Sequence, residues 1–164
     1  MHFDRFAKFI ALFMLMLGLA APAYAQNNKP IRSGTWYEDQ ASLVGGSSQT
    51  LTLAQSPTDK FLNITHVACL ISVPNGPTIQ PVIDVFLTVG STSGANDLGR
   101  KQHLLNTTNQ AFVKAVAYYT IITDAVFFKV GPGRYPSIRI STDTAQTPVG
   151  LTSECTIVGN LTDD

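Results

Sequence analysis

The side chains that could carry out acid–base chemistry are few in this sequence and lie far apart. Beyond position 2 the chain has two histidines, His66 in an apolar segment and His103 in a polar one. Asp84 is the only acid at the centre of an apolar segment, and no second carboxylate forms an obvious catalytic pair with it. A Gly-x-Ser-x-Gly nucleophile frame is absent as well. We therefore expect no enzyme activity, and we interpret His66 as a packed side chain and His103 as a solvated one.

The two cysteines, Cys69 and Cys155, are the residues whose positions predict a covalent link. Both lie in apolar, strand-like segments that are far apart in the chain. In an exported protein such a pair favours a single disulfide. A zinc site would require further Cys or His ligands at short spacing, so we expect no metal ion and no cofactor. The bridge requires that the two segments lie side by side or face each other across the core.

Residues 1–25 have the pattern of a secretory signal peptide. Two basic residues precede an uncharged segment, residues 9–21, and small residues follow at Ala23 and Ala25. We predict cleavage after Ala25, followed by a polar, poorly ordered lead-in over residues 26–33. A membrane anchor is the alternative, but a spanning helix needs about 20 apolar residues. The mature protein is therefore expected to be periplasmic or secreted, with no stable membrane insertion.

The charge of the chain is low and evenly divided between the two signs. It has 11 basic and 11 acidic residues, and only 13% of its residues are charged, against about 25% in ordinary domains. The longest basic stretch is the pair Arg100 and Lys101, whereas phosphate backbones require clustered cations. We therefore exclude nucleic acid as a partner. Solubility must come from Thr, Ser, Asn and Gln, which is typical of exported β-proteins.

The longest strand-like segment, Lys60–Val73, is the one around which the others are expected to assemble. It is apolar on both alternating faces, which predicts a central strand covered on much of both sides. A turn at Pro74–Pro77 and a second apolar segment, residues 79–89, predict a hairpin. Further strands are predicted over residues 34–38, 49–55, 111–123, 125–130, 137–141 and 151–161, with loops over 39–49 and 90–103.

About eight strands separated by turns, without a convincing amphipathic helix, indicate an all-β protein. We predict one domain over residues 34–164. Its expected fold is a single antiparallel β-sandwich of jelly-roll or immunoglobulin-like topology.

The segment Gly34-Thr35-Trp36-Tyr37 resembles the Gly-x-Trp start of lipocalins and the start of avidins. Both families are eight-stranded barrels that hold small ligands, so the resemblance implies a closed eight-stranded β-barrel as the alternative fold. The sequence departs from both families. Trp36 is its only tryptophan, whereas avidin pockets use several, and the chain ends in a strand-like segment rather than the helix of lipocalins. No site residue is transferred from either family.

Three aromatic residues are candidates for ligand binding. Trp36 and Tyr37 are adjacent near the predicted mature N-terminus, and Tyr135 lies in a Gly- and Pro-rich stretch, residues 131–136. Aromatic rings on loops are frequent binding anchors, so we hypothesise that the three form a surface contact patch. The alternative is that Trp36 closes one end of the core, because large aromatic side chains are mostly buried.

Three asparagines, Asn63, Asn106 and Asn160, begin Asn-x-Thr sequons, which mark surface positions in a host that glycosylates them. By simple alternation Asn63 shares a strand face with Cys69, where a glycan would obstruct packing. We interpret the sequons as accidental on that ground.

These features predict an exported, non-catalytic module that binds a glycan, a surface or a partner protein. One alternative is a small-molecule carrier with a barrel cavity, which a hollow, closed barrel would favour. Another is a hydrolase, which a histidine–acid pair in a cleft would favour. A sandwich filled by its own side chains favours the binding module.

Overall fold

The computed structural model describes residues 26–27, 29–74, 82–104, 109–113, 116–124, 126–142 and 150–163. These residues form two antiparallel sheets that pack as a β-sandwich and do not close into a barrel, so the sandwich prediction is confirmed and the barrel alternative is wrong. No helix that could cross a membrane is found in this part of the chain.

The larger sheet has eight strands and the smaller sheet has four. With strands numbered in chain order, the larger sheet contains β1 (Gln26–Asn27), β2 (Ile31–Ser33), β3 (Trp36–Val44), β5 (Phe61–Pro74), β8 (Asn109–Val113), β9 (Val116–Thr123), β10 (Phe128–Val130) and β12 (Thr152–Thr162). The smaller sheet contains β4 (Ser48–Thr52), β6 (Val82–Gly90), β7 (Lys101–His103) and β11 (Tyr135–Thr142).

The last strand, β12, completes the centre of the larger sheet. It lies between β3 and β5, and β9 and then β8 follow on the other side of β5. Cys155 of β12 is directly opposite Cys69 of β5, and the two sulfurs form a disulfide with an S–S distance of 2.09 Å. The predicted bridge is confirmed, and the two segments are neighbours rather than facing each other across the core. A disulfide is compatible with an oxidising, exported compartment.

The core lies between the two sheets and consists of the inward-facing side chains of β3, β4, β5, β6, β9, β10, β11 and β12, with additional residues from their connections. Its fully buried side chains are mainly aliphatic and interdigitate between the sheets. The largest of them are Tyr37, Leu51, Leu53, Leu62, Ile64, Ile71, Leu87, Leu104, Ile121, Ile138, Ile140 and Leu151.

A β-bulge in β5 explains why this segment looks apolar on both faces. Val158 pairs with His66 but the next residue, Gly159, pairs with Ile64, so Thr65 has no partner on β12. The extra residue reverses the alternation, and Ile64 and Val67 both point into the core. The prediction that β5 is a central strand is confirmed, because β12 lies on one side of it and β9 and β10 on the other. Its outer face is only partly covered: most of its outward side chains are half-buried, and Leu70 is 50% exposed.

The predicted hairpin between the two longest apolar segments is also wrong. β5 belongs to the larger sheet, whereas β6 belongs to the smaller one, where it pairs with β11 and β7. The positions beside β5 are taken by β12, β9 and β10. The predicted turn at Pro74–Pro77 lies, after Pro74, outside the described residues, and turn-forming residues do not determine which strand becomes the neighbour.

Three shorter predictions also differ from the structure. The segment 111–123, expected to be one strand, contains the hairpin of β8 and β9, which pair through Val113 and Val116. The predicted loop 39–49 is mostly strand, because β3 continues to Val44. The predicted lead-in contains β1 and β2, which both pair with β3, and the predicted loop 90–103 ends in β7.

Candidate functional site on the outer face of the larger sheet

Trp36 and Tyr37 lie on opposite faces of β3, because successive side chains of a strand alternate. Trp36 points outward and is 46% exposed, whereas Tyr37 points into the core and is fully buried. The aromatic side chain that fills this end of the core is therefore Tyr37. The alternative that Trp36 closes the core is wrong, and Tyr37 is not available to a ligand at the surface.

Tyr37 belongs to a buried polar group that connects the two sheets. Asp39 accepts hydrogen bonds from the backbone N–H groups of Gln40 (2.9 Å) and Ala54 (2.6 Å), and Ala54 follows strand β4 of the smaller sheet. The Tyr37 hydroxyl lies 3.5 Å from the same carboxylate, and the Arg32 guanidinium lies 5.6 Å from the Tyr37 ring centroid. Burial raises the pKa of Asp39, and burial together with the charge of Asp39 raises the pKa of Tyr37.

Tyr135 lies in the other sheet. It is the first residue of β11, where it pairs with Gly90 and is half-buried. The structure therefore does not bring Trp36, Tyr37 and Tyr135 together, and of the three only Trp36 presents its side chain on the outer face of the larger sheet.

The residues beside Trp36 are polar, and sequence reasoning did not connect them with it. Asn160 of β12 is directly opposite both Trp36 and Asn63, and Asn63 is directly opposite Lys129 of β10. Residues opposite each other in antiparallel strands share a face, so these four side chains lie in one line. We call Trp36, Asn160, Asn63 and Lys129 the Trp36 row. It spans about 14 Å across four strands at the usual strand spacing.

Side chains around the Trp36 row fix its shape. Asn63 Nδ2 donates to Thr162 Oγ1 at 3.0 Å, and the Lys129 ammonium lies 4.4 Å from the centroid of the Phe61 ring. Beside Asn63 and Lys129, along β5 and β10, the surface forms a shallow depression of about 260 Å³. Its wall includes Phe127, the most exposed large apolar side chain of the described residues at 86%.

The bulge at Thr65 places Asn63 in this row. Without it, alternation would put Asn63 on the inner face with Cys69. The backbone carbonyl of Asn63 lies so close to Gly159 that a Cβ there would be 2.3 Å from its oxygen. A glycine inside a strand is a signal for a bulge or a close backbone approach, and Gly159 is the one clue the sequence offers.

The same bulge overturns the argument against the sequons. Asn63 and Asn160 are on the outer face of the sheet, and a group attached to either would not enter the core. Asn106 lies outside the residues that the structure describes.

A histidine–acid pair is present on the larger sheet, although not in a cleft. His66 Nδ1 lies 2.5 Å from Asp124 Oδ1, and the Asp124 side chain is 83% exposed. Within the described ranges no hydroxyl or thiol forms a hydrogen bond with the other nitrogen of this ring. His103 Nδ1 lies 3.8 Å from Asp84 on the smaller sheet. The described residues contain no group of three or more His, Cys, Asp or Glu side chains arranged to hold a metal ion.

No protein-family model matches this chain, and a comparison with curated proteins finds none that is significantly similar.

Proposed function

We propose that this protein is an exported, non-catalytic module that binds a glycan, a surface or a partner protein on the outer face of its larger sheet. The observation that carries the proposal is the distribution of exposed apolar side chains. Within the described ranges, all but one of the large exposed apolar side chains belong to the larger sheet or to the connection between β9 and β10. They are Ile31, Trp36, Val44, Leu70, Val113, Ile122 and Phe127. Apolar side chains gathered on one face mark interaction sites in soluble proteins.

The outer face also has a second depression, next to the disulfide strands. Leu70 of β5, Ile122 of β9 and Thr156 of β12 line it, together with Glu154, which accepts a hydrogen bond from Gln40. This depression and the Trp36 row lie on the same side of the sheet, so one extended ligand or surface can contact both.

The two alternative functions have less support. A small-molecule carrier needs an internal cavity, and here two open sheets pack through a core of close-fitting aliphatic side chains. A hydrolase needs an oriented base beside a nucleophile, whereas His66 is held by a carboxylate that is open to water. Export is supported by the buried disulfide and by the signal-like pattern of residues 1–25.

Two arginine substitutions, one on each sheet, test whether the ligand binds to the outer face of the larger sheet. Thr156 and Ser141 are half-buried hydroxyl residues on the outer faces of the larger and the smaller sheet, respectively. Labelled wild-type protein and the variants Thr156→Arg and Ser141→Arg are applied to arrays of glycans and of extracellular proteins. We expect Thr156→Arg to lose the bound ligand and Ser141→Arg to keep it, with both variants folded by thermal unfolding. Loss in Ser141→Arg alone, or conversion of the ligand to product, would contradict the proposal.

A further inference from the structure

The Trp36 row combines aromatic rings with carboxamide groups in one line. We infer that it is a binding platform for a neutral polysaccharide chain, an inference that rests on the proposed function and names its ligand class. The row has Trp36 at one end and the depression walled by Phe127 at the other, with Asn160 and Asn63 between them.

The two aromatic rings provide flat apolar surface. Trp36 and Phe127 are the exposed aromatic side chains at the two ends of the row. The C–H face of a sugar ring is also flat and apolar, and it gains dispersion and burial energy when it packs on an aromatic ring. Trp36 is about 14 Å from β10 across the sheet, and Phe127 directly precedes β10. Two rings this far apart suit a chain of several sugar units better than a single sugar.

The carboxamides between the rings select for hydroxyl groups. Each offers two N–H donors and a carbonyl acceptor, which match sugar hydroxyls that both donate and accept. The hydrogen bond from Asn63 to Thr162 fixes the orientation of one carboxamide. A purely apolar partner, such as a lipid tail or an aliphatic protein surface, would remove Asn63 and Asn160 from water without offering hydrogen bonds, which costs free energy.

The charge around the row favours a neutral ligand. Lys129 is the only base in the row, and its ammonium lies against the Phe61 ring. Glu38, two residues beyond Trp36 on the same face, is an acid of opposite charge.

An acidic polysaccharide requires clustered Arg or Lys side chains. Arg100 donates to the backbone oxygen of Lys129 at 2.7 Å and lies 5.2 Å from the centroid of the Phe128 ring, so its guanidinium is already engaged. Asp124, beside His66, brings a second carboxylate to the same face.

Two backbone features place Asn63 in the row. The bulge at Thr65 turns Asn63 outward, and Gly159 allows β12 to approach β5 closely enough for Asn160 to lie beside it. Bulges that redirect a side chain are frequent at functional sites, because they change the direction of one residue without changing the sheet.

Depletion by insoluble polysaccharides tests the platform. Wild-type protein is mixed with cellulose, chitin, β-1,3-glucan or mannan, and the fraction left in solution is measured; immobilised heparin is the anionic comparison. The variants are Trp36→Ala and Asn160→Ala. Leu98→Ala is the control, because Leu98 is 40% exposed and is the one large exposed apolar side chain of the described residues that lies outside the larger sheet and the connection between β9 and β10.

We expect binding to at least one neutral polysaccharide and none to heparin. Trp36→Ala should weaken the binding roughly tenfold or more, as removal of an aromatic anchor does, and Leu98→Ala should leave it within about twofold. Thermal unfolding of each variant shows that the loss is not a loss of fold.

Three results would overturn the inference. The first is that none of the four neutral polysaccharides is bound. The second is binding to heparin alone, and the third is binding that Trp36→Ala leaves unchanged. Suppose that the array experiment finds only a protein ligand, whose binding Thr156→Arg abolishes. In that case the inference of a polysaccharide platform is wrong and the proposed function stands. If bound ligands respond only to Ser141→Arg, the proposed function fails as well.

Discussion

The outer faces of the two sheets differ in how much apolar surface they expose to solvent. On the smaller sheet, apolar surface is covered by the protein's own groups: the Phe86 ring contacts the His103 ring at 4.1 Å between centroids, and the Lys101 ammonium lies 5.1 Å from the Phe86 centroid. Thr88 and Ser137 are on the outer face by alternation, yet both are buried. On the larger sheet, Trp36 and Leu70 reach solvent.

The loop after β6 accounts for the buried hydroxyls. A Cβ at Gly90 would be 2.2 Å from the backbone oxygen of Ala95, and a Cβ at Gly94 would be 3.6 Å from the side chain of Thr52 on β4. The loop therefore lies across one half of the smaller sheet. Arg139 is exposed on the other half, and Lys101 is exposed at the edge of the sheet, opposite Thr88. The smaller sheet thus presents a loop and charges to solvent, and the larger sheet presents a face with exposed apolar and amide groups.

The disulfide is expected to have the largest effect on this difference, because it belongs to the larger sheet alone. Replacing both Cys69 and Cys155 with Ala should lower the free energy of unfolding by about 4–5 kcal/mol, since the bridge closes a long loop. Urea unfolding followed by circular dichroism measures the change. A loss under about 1 kcal/mol would mean that strand pairing alone holds β12 in place.

Two glycines give a matched comparison between the sheets. A Cβ at Gly159 would meet the backbone of Asn63 and Ile64 inside the larger sheet, so Gly159→Ala should destabilise by about 1–3 kcal/mol and also misplace the Trp36 row. Gly90→Ala would meet the backbone and Cβ of Ala95 in the loop, and loops tolerate displacement better than strand pairs. It should therefore cost less than Gly159→Ala and leave ligand binding unchanged. Equal costs in the two variants would contradict the expectation that paired strands tolerate displacement less well than a loop.

Asp39 is expected to make a smaller, pH-dependent contribution to the free energy of unfolding, because it connects the two sheets. Burial raises its pKa above the usual value of 3.8, so the folded protein keeps this proton to higher pH than the unfolded chain does. The stability contributed by protonated Asp39 is therefore fully present below pH 3.8 and is lost as the pH rises through the raised pKa. In Asp39→Asn this titration is absent.

Urea unfolding of the wild type and Asp39→Asn over a pH series isolates this contribution, since the other titrating groups are common to both proteins. The stability advantage of the wild type over the variant should decrease as the pH rises from 3.8. A difference that is constant, or that grows with pH, would show that the hydrogen bonds from Gln40 and Ala54 outweigh burial.

Composition and segment patterns were sufficient to predict the sandwich and the disulfide. Short β-branched segments between turns have few other ways to bury their apolar faces, and two distant cysteines in an exported chain have few other partners. The pairing of β5 was not predictable in the same way. Its neighbours β9, β10 and β12 come from later in the chain, so local turn signals carried no information about them.

Of the four residues in the Trp36 row, only Trp36 was predicted from the sequence to contact a ligand. Asp39 lies on the inner face of β3, and a charged residue at an inward position concealed the alternation that separates Trp36 from Tyr37. The bulge at Thr65 concealed that Asn63 faces outward, because it reverses the alternation halfway along β5. Gly159 indicated that a strand is irregular near it, but the bulge could be located at Thr65 only once β12 was known to lie beside β5.

The fluorescence of Trp36 tests the central claim most directly, because it is the only tryptophan and reports the outer face of the larger sheet alone. We predict red-shifted emission that iodide quenches in the free protein. Addition of the soluble oligosaccharide of a bound neutral polysaccharide should shift the emission to the blue and protect it from iodide. An emission that is blue-shifted and unquenched before any ligand is added, or that no neutral oligosaccharide changes, would contradict the account.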